Sequence, residues 1–428
     1  MRKGYSGRVR LTAASLSAAA AIAVALLAGG PAEAVAGEAE SAAGGGADAA
    51  AKPKRKPKSK PRRPRKAPPR SFFGIQSFEP LSNGELEALR KARVGSNRLL
   101  VFWRLVETQP GARDWSFYDA EFARAALFGI RILPVLYGTP RHLSGGVTLP
   151  PMSPAARDGW RRFAAELAQR YGHNGSFWRS NPGLPYLPVR HWQVWNEPSS
   201  NAYWMNRPDA AQYMSLVADT STAIRAVDRR AKIVLAGILL HRRDPTGIPM
   251  RQYLRQIYGI EGSKGLFDGV SIHPYSIHPG KVLETAQKAR KVMRRHRDGD
   301  TALWITELGW STGGVGGSAR DVISFEGQAR KLAKTYALLK RHREQLRLKS
   351  IVWHVLRDYP HPSNTWNFHM GLFTFQKAAK PSWSRFAHAT GGKAAGIFDP
   401  PKAPPPPEPP PPPPPDDPSG PCFLLIFC

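Results

Sequence analysis

Short apolar runs recur along the middle of the chain, each followed by a longer stretch whose apolar residues fall at helical spacing. Eight runs read as strands: 72–77, 97–103, 130–137, 191–196, 232–239, 269–275, 302–308 and 350–356. Between them helical patterns cover 83–92, 118–128, 154–171, 210–227, 282–296 and 325–342. Eight strands alternating with helices over roughly 330 residues predict an α/β fold, a closed parallel (β/α)8 TIM barrel occupying residues 71–399 as a single domain. An open doubly wound sheet would show the same alternation, but no Gly-x-Gly-x-x-Gly follows an early strand, which weakens a dinucleotide reading.

The two ends break this pattern. Arg2, Lys3, Arg8 and Arg10 precede an Ala/Leu/Val stretch, and Ala32-Glu-Ala34 and Ala34-Val-Ala36 are small-x-small cleavage candidates. Residues 1–36 therefore read as a signal peptide for a secreted or cell-surface protein, with an uncleaved signal anchor as the alternative. Residues 37–70 form a linker, first rich in Ala and Gly and then, over 52–70, carrying 11 basic side chains and 6 prolines. Self-repulsion and proline predict an extended, disordered spacer, which is also a candidate tether to an anionic cell-surface polymer. The tail, 400–428, holds 15 prolines and ends in Cys422-Phe-Leu-Leu-Ile-Phe-Cys428. Its proline run reads as a spacer or stalk. These are the only cysteines, so no disulfide framework or paired-cysteine zinc site is expected in the core.

Of the net charge of +30, residues 71–399 contribute +21. A basic core is compatible with an anionic polymer as partner. A nucleic-acid role would explain this charge, but not the two glutamates that end strands four and seven.

Loops at the C-terminal ends of barrel strands build the active site. Glu197 closes strand four in His191-Trp-Gln-Val-Trp-Asn-Glu-Pro198, and Glu307 closes strand seven in Trp304-Ile-Thr-Glu-Leu-Gly-Trp310. Each sits in apolar, aromatic sequence, where a carboxylate is costly unless paired or used. Two inward carboxyl groups are what glycosidic bond cleavage requires: one protonates the leaving oxygen, and the other attacks or stabilises the sugar cation. A structural duty, pairing with a buried arginine, is the alternative for either glutamate alone. Glu107 and Asp358, rival carboxylates near strand ends, read as turn or salt-bridge residues. The histidines show no His-Glu-x-x-His spacing, so neither a metal nor a cofactor is expected.

The segments Trp195-Asn-Glu-Pro198 and Ile305-Thr-Glu-Leu-Gly-Trp310 resemble signatures of clan A glycoside hydrolases, a group that includes families 5, 39 and 51. The likeness runs from residue 72 to about 388. It implies that Glu197 is the acid/base and Glu307 the nucleophile of a retaining enzyme. It also implies that Arg98 hydrogen-bonds the nucleophile, and that His273 and Tyr275 of Ser271-Ile-His-Pro-Tyr275 border the cleaved sugar. Trp353 corresponds to the strand-eight tryptophan that stacks beneath the sugar, although His354 follows it directly. Beside the acid, the Asn196 amide suits a sugar 2-hydroxyl, and Trp204, Trp310 and Trp366 are candidate subsite residues. No accessory β-sandwich follows the barrel, which favours an open groove. The expected partner is thus a polysaccharide or oligosaccharide, with the protein acting as a monomer. The alternative from another class is a catalytically silent carbohydrate-binding or wall-anchored barrel.

Overall fold

The computed structural model describes residues 67–144, 148–205, 207–240, 247–316 and 321–398. Residues 1–36, read above as an export signal, nearly all of the basic linker and the proline-rich tail with its two cysteines lie outside these residues. Eight parallel strands form a closed barrel in chain order: β1 Phe73–Gln76, β2 Ser96–Phe102, β3 Arg131–Tyr137, β4 His191–Val194, β5 Lys232–Leu239, β6 Gly269–His273, β7 Ala302–Ile305 and β8 Leu348–His354. β8 closes on β1 with Ile75 opposite Trp353 and Gln76 opposite His354. The main helices are α1 Asn83–Lys91, α2 Ser116–Leu127, α3 Pro154–Tyr171, α4 Ala210–Val227, α5 Met250–Gly259, α6 Pro279–Arg295, α7 Phe325–Arg341 and α8 Pro381–Thr390.

Local chemistry starts several of these helices at defined residues. Ser82 and Glu85 form a reciprocal capping box on α1, Ser153 caps α3 with Pro154 next to it, and Asp209 caps α4. Each cap satisfies backbone N–H groups that the helix leaves unpaired, worth about 1 kcal/mol. The helices pack on the barrel's outer face through large rings. Trp103, just past β2, lies 5.9 Å from Trp160 and 5.8 Å from Phe163 of α3, all three fully buried. Burying one such side chain contributes on the order of 1.5–3 kcal/mol.

Side chains of successive strand residues point to opposite faces, so alternate positions fill the barrel interior. A lower interior layer is apolar: Leu133, Val234 and Trp304 form a separate small cluster backed by Ala302. Above it the interior turns polar, with Gln76, Arg98, Gln193, Ser271 and Thr306 all buried. That polar layer is the floor of the mouth at the strands' C-terminal ends. Among the described residues no helix is long and apolar enough to cross a membrane.

Candidate active site

The site begins where β4 stops. The strand ends at Val194, two residues earlier than the apolar pattern suggests, because Trp195 (φ 68°) and Glu197 (φ 42°) adopt left-handed backbone. Such conformations cost non-glycine residues on the order of 1 kcal/mol or more and persist only where surroundings enforce them. Here the Trp195 N–H donates to Leu136 O at 2.9 Å and its indole N–H to Tyr203 O at 2.7 Å. Between these anchors the Glu197 carboxyl, 5% exposed, comes into hydrogen-bond contact with His273 at the end of β6.

Glu307, two residues past β7, meets two donors there. Its Oε1 accepts from Arg98 Nη1 at 2.6 Å and its Oε2 from the Tyr275 hydroxyl at 2.8 Å. Arg98 is buried and spends its remaining donors on neutral oxygens. Nε donates to Gln193 Oε1 and Nη2 to Asn196 Oδ1, each at 2.8 Å, and Nη1 also reaches Gln76. Gln193 in turn donates to Ser271 and Thr306. A guanidinium presents five donors in a fixed plane, so this ring of acceptors locks its orientation.

His273 joins the two carboxyl groups. Its Nδ1 lies 2.6 Å from Glu197 Oε1 and 3.6 Å from Glu307 Oε2, and its Nε2 lies 2.9 Å from Thr306 Oγ1. The Thr306 hydroxyl donates to Ser271, which leaves its oxygen to accept from the imidazole. With Nε2 as donor, Nδ1 of the neutral ring is an acceptor. The proton between it and Glu197 then belongs to the carboxyl group. The ring fits because β5 carries Gly237 beside it: a Cβ there would stand 1.9 Å from His273 Nε2.

Electrostatics separate the two glutamates. Burial works first against a charge on Glu307. The imidazoles of His273 and His354, the Arg98 cation and the Tyr275 hydroxyl outweigh it and hold the carboxyl down to about 2. Glu197 is pushed well above the ordinary carboxylate range, by burial and then by the charge on Glu307, with Arg98 opposing. Burial pushes His273 down to about 3, so the imidazole stays neutral at moderate pH. The site therefore holds one ionised and one protonated carboxyl group, with one oxygen of each within 4.8 Å of the other.

Glu197, Glu307, Arg98, Asn196, His273 and Tyr275 thus come together in one mouth, and three named tryptophans do not. Trp353 is fully buried, donates its indole N–H to Met370 O at 3.2 Å and packs against Trp310 at 5.9 Å. Strand alternation turns its neighbour His354 inward instead, placing Nδ1 3.8 Å from Glu307 Oε2. Trp310 is 4% exposed and donates its N–H to Ser276 O at 2.7 Å, tying the loop after β7 to the loop after β6. Trp204 is likewise fully buried, against Trp195 and Tyr213. Both alignment with a motif and aromatic character favoured these tryptophans, and strand phase and packing overrule them. Trp366 is half-buried in a short 3-10 turn, Trp366–His369.

Several residues at the site carried no signal. Gln76 and Gln193 look like ordinary polar strand positions, although their inward phase marks them in hindsight. Tyr203 follows a loop without periodicity, yet its phenol feels the charges of both Glu197 and Glu307 after the larger effect of burial. Gly237 had the one readable cue, a lone glycine inside an apolar strand, which marks close approach of another group. Glu107 accepts from the Trp103 indole and the Gly111 N–H and pairs with Arg113, a turn-building role.

Glu197, His273 and Glu307 also present three metal-ligating atoms within 4.8 Å of one another. A cation there would face the fixed charge of Arg98, 2.6 Å from Glu307, so the set suits proton handling better than metal binding.

No protein-family model and no curated protein matches the sequence. Solved structures share the fold. A family 39 glycoside hydrolase from the gut symbiont Bacteroides cellulosilyticus WH2 superposes with a TM-score of 0.59 at 18% identity, over 76% of this chain and 64% of that one. A monomeric β-xylosidase from Caulobacter crescentus CB15 gives 0.56 at 18% identity, over 77% and 70%. A GH5_18 structure from Bifidobacterium longum subsp. infantis gives 0.54 at 13% identity, over 73% and 74%. The chain thus spans about two thirds of the first of these proteins. Likeness at such identities establishes the barrel; chemistry rests on the side chains in its mouth.

Proposed function

We propose that this protein is a secreted glycoside hydrolase that cleaves O-glycosidic bonds of a polysaccharide or glycan by double displacement, with retention of configuration. The observation that carries the reading is geometric: two buried carboxyl groups meet in the mouth with one oxygen of each within 4.8 Å of the other, Glu307 held by Arg98 and Tyr275 and Glu197 by His273. Retaining enzymes hold their carboxyl groups about 5–5.5 Å apart, whereas inverting ones leave about 6.5–9.5 Å for a water. Among the structures that share the fold, a family 39 glycoside hydrolase and a β-xylosidase support the same reaction class.

In this reading a Glu307 oxygen attacks the anomeric carbon as its bond to the leaving oxygen breaks, and Glu197 gives that oxygen its proton. Glu197, now a carboxylate, takes a proton from water. The water oxygen then bonds to the anomeric carbon and releases Glu307. Arg98 and Tyr275 keep Glu307 ionised and aimed, and Asn196 is held by Arg98 where its amide N–H2 can meet the sugar. His273 receives the Glu197 hydrogen bond between turnovers.

The test is the first-formed anomer. Hydrolysis of an aryl glycoside panel, followed by proton NMR, should yield product with the substrate's configuration. Glu307→Gly should be hydrolytically dead but couple a glycosyl fluoride of inverted configuration. Glu197→Ala should regain turnover of good-leaving-group substrates when azide is added. An inverted first product, or full activity in either variant, refutes the assignment.

A further inference from the structure

β2 and β3 run side by side to the catalytic end of the barrel, where Phe102 stands opposite Tyr137. Just past these ends two short helical turns, Trp103–Val106 and Arg141–Ser144, carry Arg104 and Arg141. The Arg104 guanidinium lies over the Phe102 ring, 5.6 Å from its centroid. Its Nε and Nη2 are shut off from water and meet no acceptor, and the Tyr137 hydroxyl is likewise enclosed without a partner. The other phenol near Arg104 is already used: the Tyr118 hydroxyl accepts from the Phe102 N–H at 2.8 Å and donates to Leu100 O at 3.3 Å.

An arginine that serves the fold alone spends its donors inside the fold. Arg290 does so, donating to the carbonyls of Leu346, Gly299 and Thr301. At the catalytic end Arg98, Arg113, Arg357 and Lys380 each meet a carboxylate. Arg104 does neither. Burial draws it down to about 10, Tyr118 and Tyr137 oppose that and Arg141 adds to it, and no carboxylate takes part, so the group is a cation at moderate pH. Tyr137 is pushed above the ordinary phenol range by burial and then by the charge of Glu197, with Arg104 opposing. Its hydroxyl is therefore within electrostatic reach of both the unpaired cation and the catalytic acid. Leaving charged N–H groups neither solvated nor bonded is costly, and an acceptor brought in by the substrate would offset that cost.

We propose that Arg104, with the Tyr137 hydroxyl beside it, is a specificity determinant that binds the carboxylate of a uronic acid unit in the glycan, on the β2–β3 side of the mouth. The inference rests on the glycoside hydrolase reading above and narrows its substrate to an acidic glycan. Nε and Nη2 share one edge of the guanidinium, the edge that grips a planar carboxylate with two parallel N–H bonds. That edge is closed while Arg104 lies on Phe102. The side chain is partly exposed, so a turn about its own dihedral angles presents the edge to the mouth and exchanges a ring contact for an ion pair. Arg141 adds positive charge on the neighbouring loop, and the charge of +21 over residues 71–399 draws an acidic chain toward the barrel.

The test uses matched probes: oligosaccharides from glucuronoxylan, alginate and pectate, each beside its carboxyl-reduced counterpart, with sulfated carrageenan oligosaccharides as a further arm. Calorimetry on the full chain carrying Glu307→Gln should show an acidic set bound about tenfold more tightly than its reduced counterpart, a gap that closes as salt rises. Arg104→Gln should erase the gap, Arg104→Lys should keep part of it, and Tyr137→Phe should narrow it. Near-ultraviolet circular dichroism checks the fold of each variant, and if Arg104→Gln does not fold, the other two variants decide. With Glu307 intact, kcat/KM for a cleaved acidic set should show the same preference over its reduced counterpart and the same dependence on Arg104. A gap that survives loss of Arg104, no gap in any pair, or a larger Arg104-dependent affinity for the sulfated set overturns the proposal and leaves the hydrolase reading standing. An Arg104-dependent gap with no cleavage by the unaltered chain upholds the carboxylate site and refutes the hydrolase reading instead.

Discussion

One guanidinium answers four side-chain oxygens, from Gln76, Gln193, Asn196 and Glu307, so Arg98 both positions and charges the site. Glu307 is held down to about 2; its ionised form is lost only as pH falls toward that value, giving the acid limb of activity. Glu197 is held above its ordinary value, and its proton is lost as pH rises through that raised value, giving the alkaline limb. Arg98→Ala should therefore shift the acid limb of kcat/KM upward and lower the rate by about 100-fold or more. The depressed Glu307 also contributes stability that is present above its unfolded value and fades as pH falls toward 2. In Arg98→Ala that window should narrow, as urea unfolding across the acid range would show. Arg98→Lys keeps the charge and should leave the acid limb closer to its original place; equal limbs in all three proteins would reduce Arg98 to a packing residue. Gly237 gives a second residue-scale expectation. Gly237→Ala should destabilise the protein by about 1–3 kcal/mol and lower activity, because its methyl meets the His273 ring. Adding His273→Ala should restore much of the stability without restoring activity, a coupling that a double-mutant cycle measures.

At the scale of elements, the alternation of apolar runs and helical patterns placed all eight strands and six of the eight main helices. The overruns are instructive. β4, β6 and β7 stop at Val194, His273 and Ile305, while the apolar pattern continues for two or three more residues. Those extra residues, among them Trp195, Asn196, Thr306, Glu307 and Leu308, are buried because they line the mouth and its packing, not because they extend the sheet. Hydrophobic period reports burial, and burial outlasts the ladder where backbone turns into the site. α5 and α8 were not read, the latter despite the Pro381 start and the left-handed Gly391 that ends it. Both glutamates were legible because carboxylates in apolar strands are conspicuous, whereas the glutamines beneath them were not. The loops beyond β7 and β8 are joined by Lys380, buried, whose Nζ donates to Asp358 at 2.7 Å and Thr312 at 2.8 Å. Lys380→Ala should leave Asp358 buried and unpaired, lowering stability by about 3–5 kcal/mol in calorimetry. Lys380→Met/Asp358→Asn should be markedly milder; equal losses would mean that the tie is packing alone.

At the scale of the molecule, the site is stitched across the place where the first strand meets the last. Gln76 of β1 stands opposite His354 of β8, and both reach the same centre: Gln76 accepts from Arg98, and His354 faces Glu307. No partial barrel therefore carries the whole network. A fragment ending before β8 should be inactive even if its remaining strands pair, and mixing it with the complementary piece should restore activity only in step with the native near-ultraviolet circular dichroism. The barrel's seam is thus also the seam of its chemistry, and closing one completes the other.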